Sequence, residues 1–125
     1  MKKELTGVLV DVVSKKVDIV HLDREHELDE LYRVLNCDTI DIVVRSIGGK
    51  DFDIVCDDEG LFKDPVVVSA VSLADGSPAL VGNLFICSHE GPELKSLDHN
   101  EVVHVLTHTW NVSDWNLTWP VIVLG

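Results

Sequence analysis

The sequence predicts an α+β domain, a single domain whose mostly antiparallel or mixed sheet is covered by two helices. Three observations predict it. Two β-branched runs, Ile40–Ile47 and Lys50–Cys56, flank Gly48-Gly49, a pair that suits the positive φ angles of a two-residue hairpin turn. Two stretches, 24–35 and 98–109, carry apolar residues at helical spacing behind an Asp. At 125 residues and 46% hydrophobic the chain has the size and composition of one domain with a real core.

The elements follow in order. Leu5–Val13 reads as a strand, Ser14-Lys15-Lys16 as a turn, and Val17–Leu22 as the returning strand. Asp23 is placed to cap a helix over Arg24–Leu35, because its carboxylate accepts from an unpaired first-turn N–H. Leu28, Leu31, Tyr32 and Leu35 form that helix's buried stripe, and Glu25, Glu27, Asp29 and Glu30 its solvated side. In the hairpin, a turn at Gly48-Gly49 sets Ile47 opposite Lys50, Arg45 opposite Phe52 and Val44 opposite Asp53. Asp57-Asp58-Glu59-Gly60 is the next turn, and Asp64-Pro65 a further break. Residues 66–73 are compatible with a strand or a short helix. Leu80–Cys87 reads as one strand interrupted at Gly82-Asn83, and Ser88–Leu97 as a loop. Asp98 and Glu101 have the spacing of a capping box for a helix over 98–109, with Val102, Val105, Leu106 and Thr109 inward. The last strand is Val121–Leu124, entered at Pro120. We divide the chain into a core, 1–109, and a Trp-rich C-terminal extension, 110–125, that packs on the core or on a neighbouring subunit.

The formal net charge is −12, from 22 acidic and 10 basic residues. Such a surface repels polyanions, which argues against direct nucleic-acid binding. No apolar run is long enough to span a membrane and no signal-peptide pattern opens the chain, so a cytoplasmic protein is expected, in the host cytoplasm if phage-encoded. Cys37, Cys56 and Cys87 are widely spaced and read as structural thiols rather than a disulfide framework.

The run from Ile40 to Leu61, with Leu80–Cys87, resembles an uncharacterised domain family carried by phages, plasmids and gut bacteria. The shared features are Ile40–Val43, Arg45, the Ile47-Gly48-Gly49-Lys50 turn, Asp53–Asp57, the acidic turn to Gly60 and the Val81-Gly82-Asn83 segment. The resemblance covers residues 5–109 and excludes the Trp-rich tail. It implies a mobile-element setting and brings no assigned activity.

No nucleophile, base or phosphate-loop constellation stands out, so we expect a non-enzyme that needs no cofactor and no metal. The leading expectation is an accessory protein that binds and sequesters a host factor, most sharply a small nucleotide-type immune signal. Arg45 and Lys50 would hold the anion, Trp110 or Trp115 would stack on the base, and Asp53, Lys63 and Asn83 complete the candidate ligand-binding set. The bland reading of Arg45 is an ion pair with Asp41, Asp51 or Asp53. The alternative function is an acidic, DNA-mimic-like inhibitor of a basic host protein. A third is a zinc-dependent module at Glu101, His104 and His108, which share one helix face. Trp110, Trp115 and Trp119 fall within ten residues, which also suits a homo-oligomer contact.

Overall fold

The computed structural model describes residues 3–60, 66–114 and 117–125. It corrects the expected fold class. The described residues are mostly β, 55% strand and 19% helical, with two sheets rather than one sheet covered by two helices. The strands are β1 (Glu4–Asp11), β2 (Lys16–Asp23), β3 (Ile40–Ile47), β4 (Lys50–Asp57), β5 (Val68–Ser72), β6 (Pro78–Val81), β7 (Leu84–Glu90), β8 (Glu93–Lys95), β9 (Thr109–Asp114) and β10 (Leu117–Leu124). Helix α1 (Glu27–Leu35) follows a 3-10 turn at Arg24–His26, and α2 (His99–Thr107) precedes β9. Among the described residues no helix is long and apolar enough to cross a membrane.

The first sheet has the order β2-β1-β7-β4-β3 with β8 added to β7, and every pairing in it is antiparallel. The second has the order β6-β5-β10-β9, with β10 parallel to β5. The sequence expectation missed this second sheet because its strands lay in segments read as undecided, interrupted or tail. Val68–Ser72 resolves as a strand. Leu80–Cys87 is not one interrupted strand but the end of β6 and the start of β7, in different sheets. Gly82, at φ +75, and Asn83 carry the chain across. The Asn83 side chain fastens this crossing, accepting from Val12 N at 2.9 Å and donating to the Val34 carbonyl at 2.9 Å. Ser88–Leu97 is a hairpin, β7–β8, rather than a loop. Pro120 lies within β10, where pairing with β5 begins only at Ile122, so its missing N–H falls where β10 is paired on the β9 side alone. Residues 110–125 thus contribute two strands to the second sheet, one of them paired with β5 of the core.

Strand alternation divides the interior. On one face of the first sheet Val8, Val10, Phe52, Ile54, Leu84 and Ile86 pack against Ala70, Ile122 and Leu124 of the second sheet and Val102 and Val105 of α2. On the other face Leu5, Leu9, Leu22, Val55, Phe85 and Cys87 pack against Leu31 and Leu35 of α1. Leu106, expected on the inner face of α2, is partly exposed, and Thr109 opens β9. Asp98 and Glu101 make the expected reciprocal capping box, whereas Asp23 accepts from Glu25 N at 2.9 Å and caps only the 3-10 turn, and α1, with His26 at its N-cap, has no side-chain cap.

The β3–β4 hairpin forms in the expected register, Ile47↔Lys50 through Ile40↔Asp57. Gly48 and Gly49 take φ angles of 58 and 82. At Gly48 a Cβ would lie 2.4 Å from His108 Nε2 and 2.9 Å from His104 Nε2, so the turn also needs glycine for close approach. The two rings stand 4.6 Å apart, and His104 Nε2–H donates to the Ile47 carbonyl at 2.6 Å. Gly125 N–H donates to Ser46 O at 2.7 Å and Gly125 O accepts from Gly49 N at 3.3 Å, binding the tip to the end of β10.

Candidate functional site

Register decides which side chains of the hairpin can meet. Asp41, Val43 and Arg45 share a face with Cys56, Ile54 and Phe52, while Asp51, Asp53 and Val55 point to the α1 side. Arg45 and Asp53 therefore lie on opposite faces, and the expected ion pair of Arg45 with Asp51 or Asp53 is closed off by the pleat. Among the described residues Arg45 makes no ion pair; its guanidinium donates to the neighbouring Val44 carbonyl at 2.9 Å.

Arg45 lines a cleft of about 300 Å³ that runs along the hairpin from Arg45 to its open end at Asp41 and Asp57. Val43 and the β6 residues Ala79, Leu80 and Val81 give it an apolar wall, and Asp41, Asp57 and Asp58 a carboxylate rim. The acidic turn reaches β6 because Gly60 lets it approach: a Cβ there would sit 3.3 Å from Val81 Cγ2. Glu59 N donates to Asp57 Oδ1 at 2.9 Å, which shapes the turn. In the cleft the Cys56 thiol is pushed up to about 11, first by burial and then by Asp41, Asp57 and Asp58, against a lowering by Arg45. The cleft thus brings one guanidinium and the carboxylates of Asp41, Asp57 and Asp58 to one apolar wall.

The other sequence-designated residues are dispersed. Lys50 Nζ pairs with Glu101 Oε2 at 3.2 Å and lies 5.8 Å from the Phe52 ring centroid, which makes it a tie between hairpin tip and α2. Asn83 is the crossing clamp described above. Trp110, half exposed, stands on β9 opposite Val121, at the edge of the second sheet remote from β6. Its neighbour Trp119 donates from Nε1 to the Val68 carbonyl at 3.0 Å and packs with Val71, Val121 and Val123. Neither Lys50 nor Trp110 lines the Arg45 cleft. Lys63 and Trp115 lie outside the described residues.

The zinc arrangement does not converge. Carbonyls accept only, so His104 Nε2 and His108 Nδ1 are both donors, the latter to the His104 carbonyl at 2.7 Å. Glu101 accepts from Asp98 N at 3.0 Å with one oxygen and holds Lys50 with the other. Among the described residues no group of three or more His, Cys, Asp or Glu side chains is placed to hold a metal.

The sequence reading missed one constellation. Asp53, 3% exposed, receives His89 Nδ1–H at 2.9 and 3.0 Å, which leaves the exposed His89 ring to present Nε2 outward. Cys87 sits beside this pair, opposite Asp53, and its thiol is pushed up to about 12, first by burial and then by Asp53 and Glu27. The available signal was alternation, Phe85, Cys87 and His89 on one face, followed by the hairpin signal Gly91-Pro92.

Neither the curated proteins nor the solved structures contain a match to this chain. The hairpin, the acidic turn that closes the cleft and the Gly82-Asn83 crossing all fall within residues 5–109, the span matched by the family model described as domain of unknown function DUF3846. The chain therefore belongs to the DUF3846 family.

Proposed function

We propose that this domain is a non-catalytic binding module that takes a small, donor-rich ligand with a phosphate or carboxylate group into the Arg45 cleft. A nucleotide-type signal is the sharpest member of that class. The observation that carries the reading is Arg45 itself: an exposed guanidinium with no ion-pair partner among the described residues, lining a cleft with an apolar wall. A guanidinium grips one phosphate or carboxylate with two parallel bonds. The apolar wall receives a base face, and Asp41 and Asp58 accept from ring N–H or ribose hydroxyls. Relative to the sequence expectation, Lys50 and Trp110 are replaced by the β6 wall and the carboxylates.

In this reading the protein serves a phage or related mobile element by sequestering a host immune signal in the host cytoplasm, an anti-defence sponge. Its support is the sequence resemblance to proteins of such elements. The test is a thermal-shift screen of mono- and dinucleotides. A ligand-dependent rise in melting temperature that Arg45→Ala abolishes supports the reading; no shift with any nucleotide sinks it.

One observation favours a second reading, an acidic inhibitor of a basic host protein: the net charge of −12. It predicts a complex that weakens steeply with salt and needs no small ligand.

A further inference from the structure

We propose that the outer edge of β3 pairs antiparallel with the same edge of a second copy of this chain, about a two-fold axis at Val43. β3 ends the first sheet, and no described strand pairs with its outer side. It is eight residues long and contains no proline or bulge. Natural edges are ordinarily blunted by such devices, because their free N–H and C=O groups invite another strand.

The backbone phase can be read directly. Gly125 N–H reaches Ser46 O from outside the hairpin, so the even-numbered residues of β3 direct their N–H and C=O outward. The outward N–H of Ile42 is held by the Asp41 carboxylate at 2.9 Å, and the outward carbonyl of Val44 by the Arg45 guanidinium at 2.9 Å. Two side chains of opposite charge thus shield two of the four backbone groups that a new strand would use.

The segment Asp41-Ile42-Val43-Val44-Arg45 is complementary to itself when reversed. Centred on Val43, Ile42 faces Val44 of the partner subunit and exchanges both backbone bonds with it, and Val44 does the same with Ile42 of the partner subunit. Asp41 then faces Arg45 of the partner subunit, and Arg45 faces Asp41 of the partner subunit. Such directly opposed, non-hydrogen-bonded positions bring Cα atoms to about 4.5 Å, close enough for the released side chains to pair. A parallel pairing in register would instead oppose Asp41 to Asp41 and Arg45 to Arg45. On the α1 face, Ile42 and Val44 are 47% and 50% exposed, and the pairing covers them with each other. Gly125 already holds Ser46, which confines the ladder to residues 41–45. The symmetry is isologous and closed, so it yields a dimer and not a filament. It also borders each Arg45 cleft with the other subunit: the five N–H donors of the guanidinium leave a part of its fork for a ligand anion when another part holds Asp41 of the partner subunit, and the dimer is argued without any ligand.

Sedimentation equilibrium at low salt tests it. The wild type is expected to reach twice the 13.9 kDa of the chain. Asp41→Arg and Arg45→Asp each oppose like charges and should weaken association at least tenfold, and the double exchange should restore it. Val44→Pro removes an outward N–H that the β3–β4 ladder does not use, keeps Asp41 and Arg45, and should also leave a monomer. Circular dichroism identifies any variant that fails to fold; if Val44→Pro does, the charge exchange alone decides. A wild type that stays monomeric to its solubility limit overturns the proposal. So do single variants that dimerise as tightly as the wild type, or a folded double exchange that remains monomeric.

Discussion

The tip of the β3–β4 hairpin and the cleft along its body are built from the same ingredients, glycine, one cation and nearby acids, yet they serve different purposes. At the tip Lys50 is paired with Glu101, His104 grips the Ile47 carbonyl, and Gly48 and Gly49 are locked against α2 and Gly125. Along the body of the hairpin, a cleft rimmed by carboxylates runs from Arg45 to Asp41 and Asp57, and Arg45 has no ion-pair partner among the described residues. In sequence the two cations are five residues apart and look interchangeable. The difference lies in what the rest of the chain brings up: α2 and β10 close the tip, whereas β6 and the acidic turn form the walls of a cleft. A polar group consumed by a contact within its own chain is structure, and the one that its own chain leaves without an ion pair marks the site.

This contrast can be broken or sharpened by measurement. The largest effect concerns the cysteines. With thiols pushed up to about 11 and about 12, Cys56 and Cys87 should react with a thiol reagent at pH 8 hundreds-fold to thousands-fold more slowly than a free cysteine. Because the thiolate fraction below the pKa rises tenfold per pH unit, their labelling should climb with pH until the fold itself opens. Stopped-flow labelling followed by peptide mass mapping reads both; fast labelling of Cys87 in folded protein would contradict its placement.

Next come the two glycines. Gly48→Ala meets the His108 and His104 rings at positive φ and should destabilise by about 3 kcal/mol or more. Gly49→Ala faces open space and bears only the backbone strain, about 1 kcal/mol. Equal losses in urea melts would show that the tip is not held against α2 as described.

Glu101→Ala removes half of the α2 capping box and the partner of Lys50, for a loss of about 1–2 kcal/mol. Smallest are the cations themselves. Lys50→Ala should cost about 0.5 kcal/mol, as a half-exposed pair does, and Arg45→Ala should change stability by less than about 0.5 kcal/mol while abolishing ligand binding.

Much of the hairpin was legible because its determinants are local: Gly48-Gly49 fixes the turn, and period-two alternation then fixes which side chains face each other. The capping box at Asp98 was legible for the same reason, and Asp23 was legible as a cap but of the 3-10 turn rather than of α1. The second sheet was not. Its strands are short or proline-bearing, and β5 finds its parallel partner β10 some fifty residues away, Ala70 opposite Ile122, which no local pattern encodes. The site was half legible. Arg45 stands in a cleft, but its proximity to Ala79, Leu80 and Val81 depends on β6 belonging to a sheet the sequence did not reveal. Asp53–His89 escaped because it requires the register of β4 against β7 as well as the β7–β8 hairpin.

The central claim, that Arg45 and not Lys50 marks a ligand site, is tested most directly by native mass spectrometry of protein purified gently from lysate of its natural host setting, with nucleotides added back. The account predicts extra mass of a few hundred daltons per chain, on the order of one nucleotide, kept by Lys50→Ala and lost by Arg45→Ala. An adduct that survives in Arg45→Ala, or a bare chain mass under every added nucleotide, would contradict it.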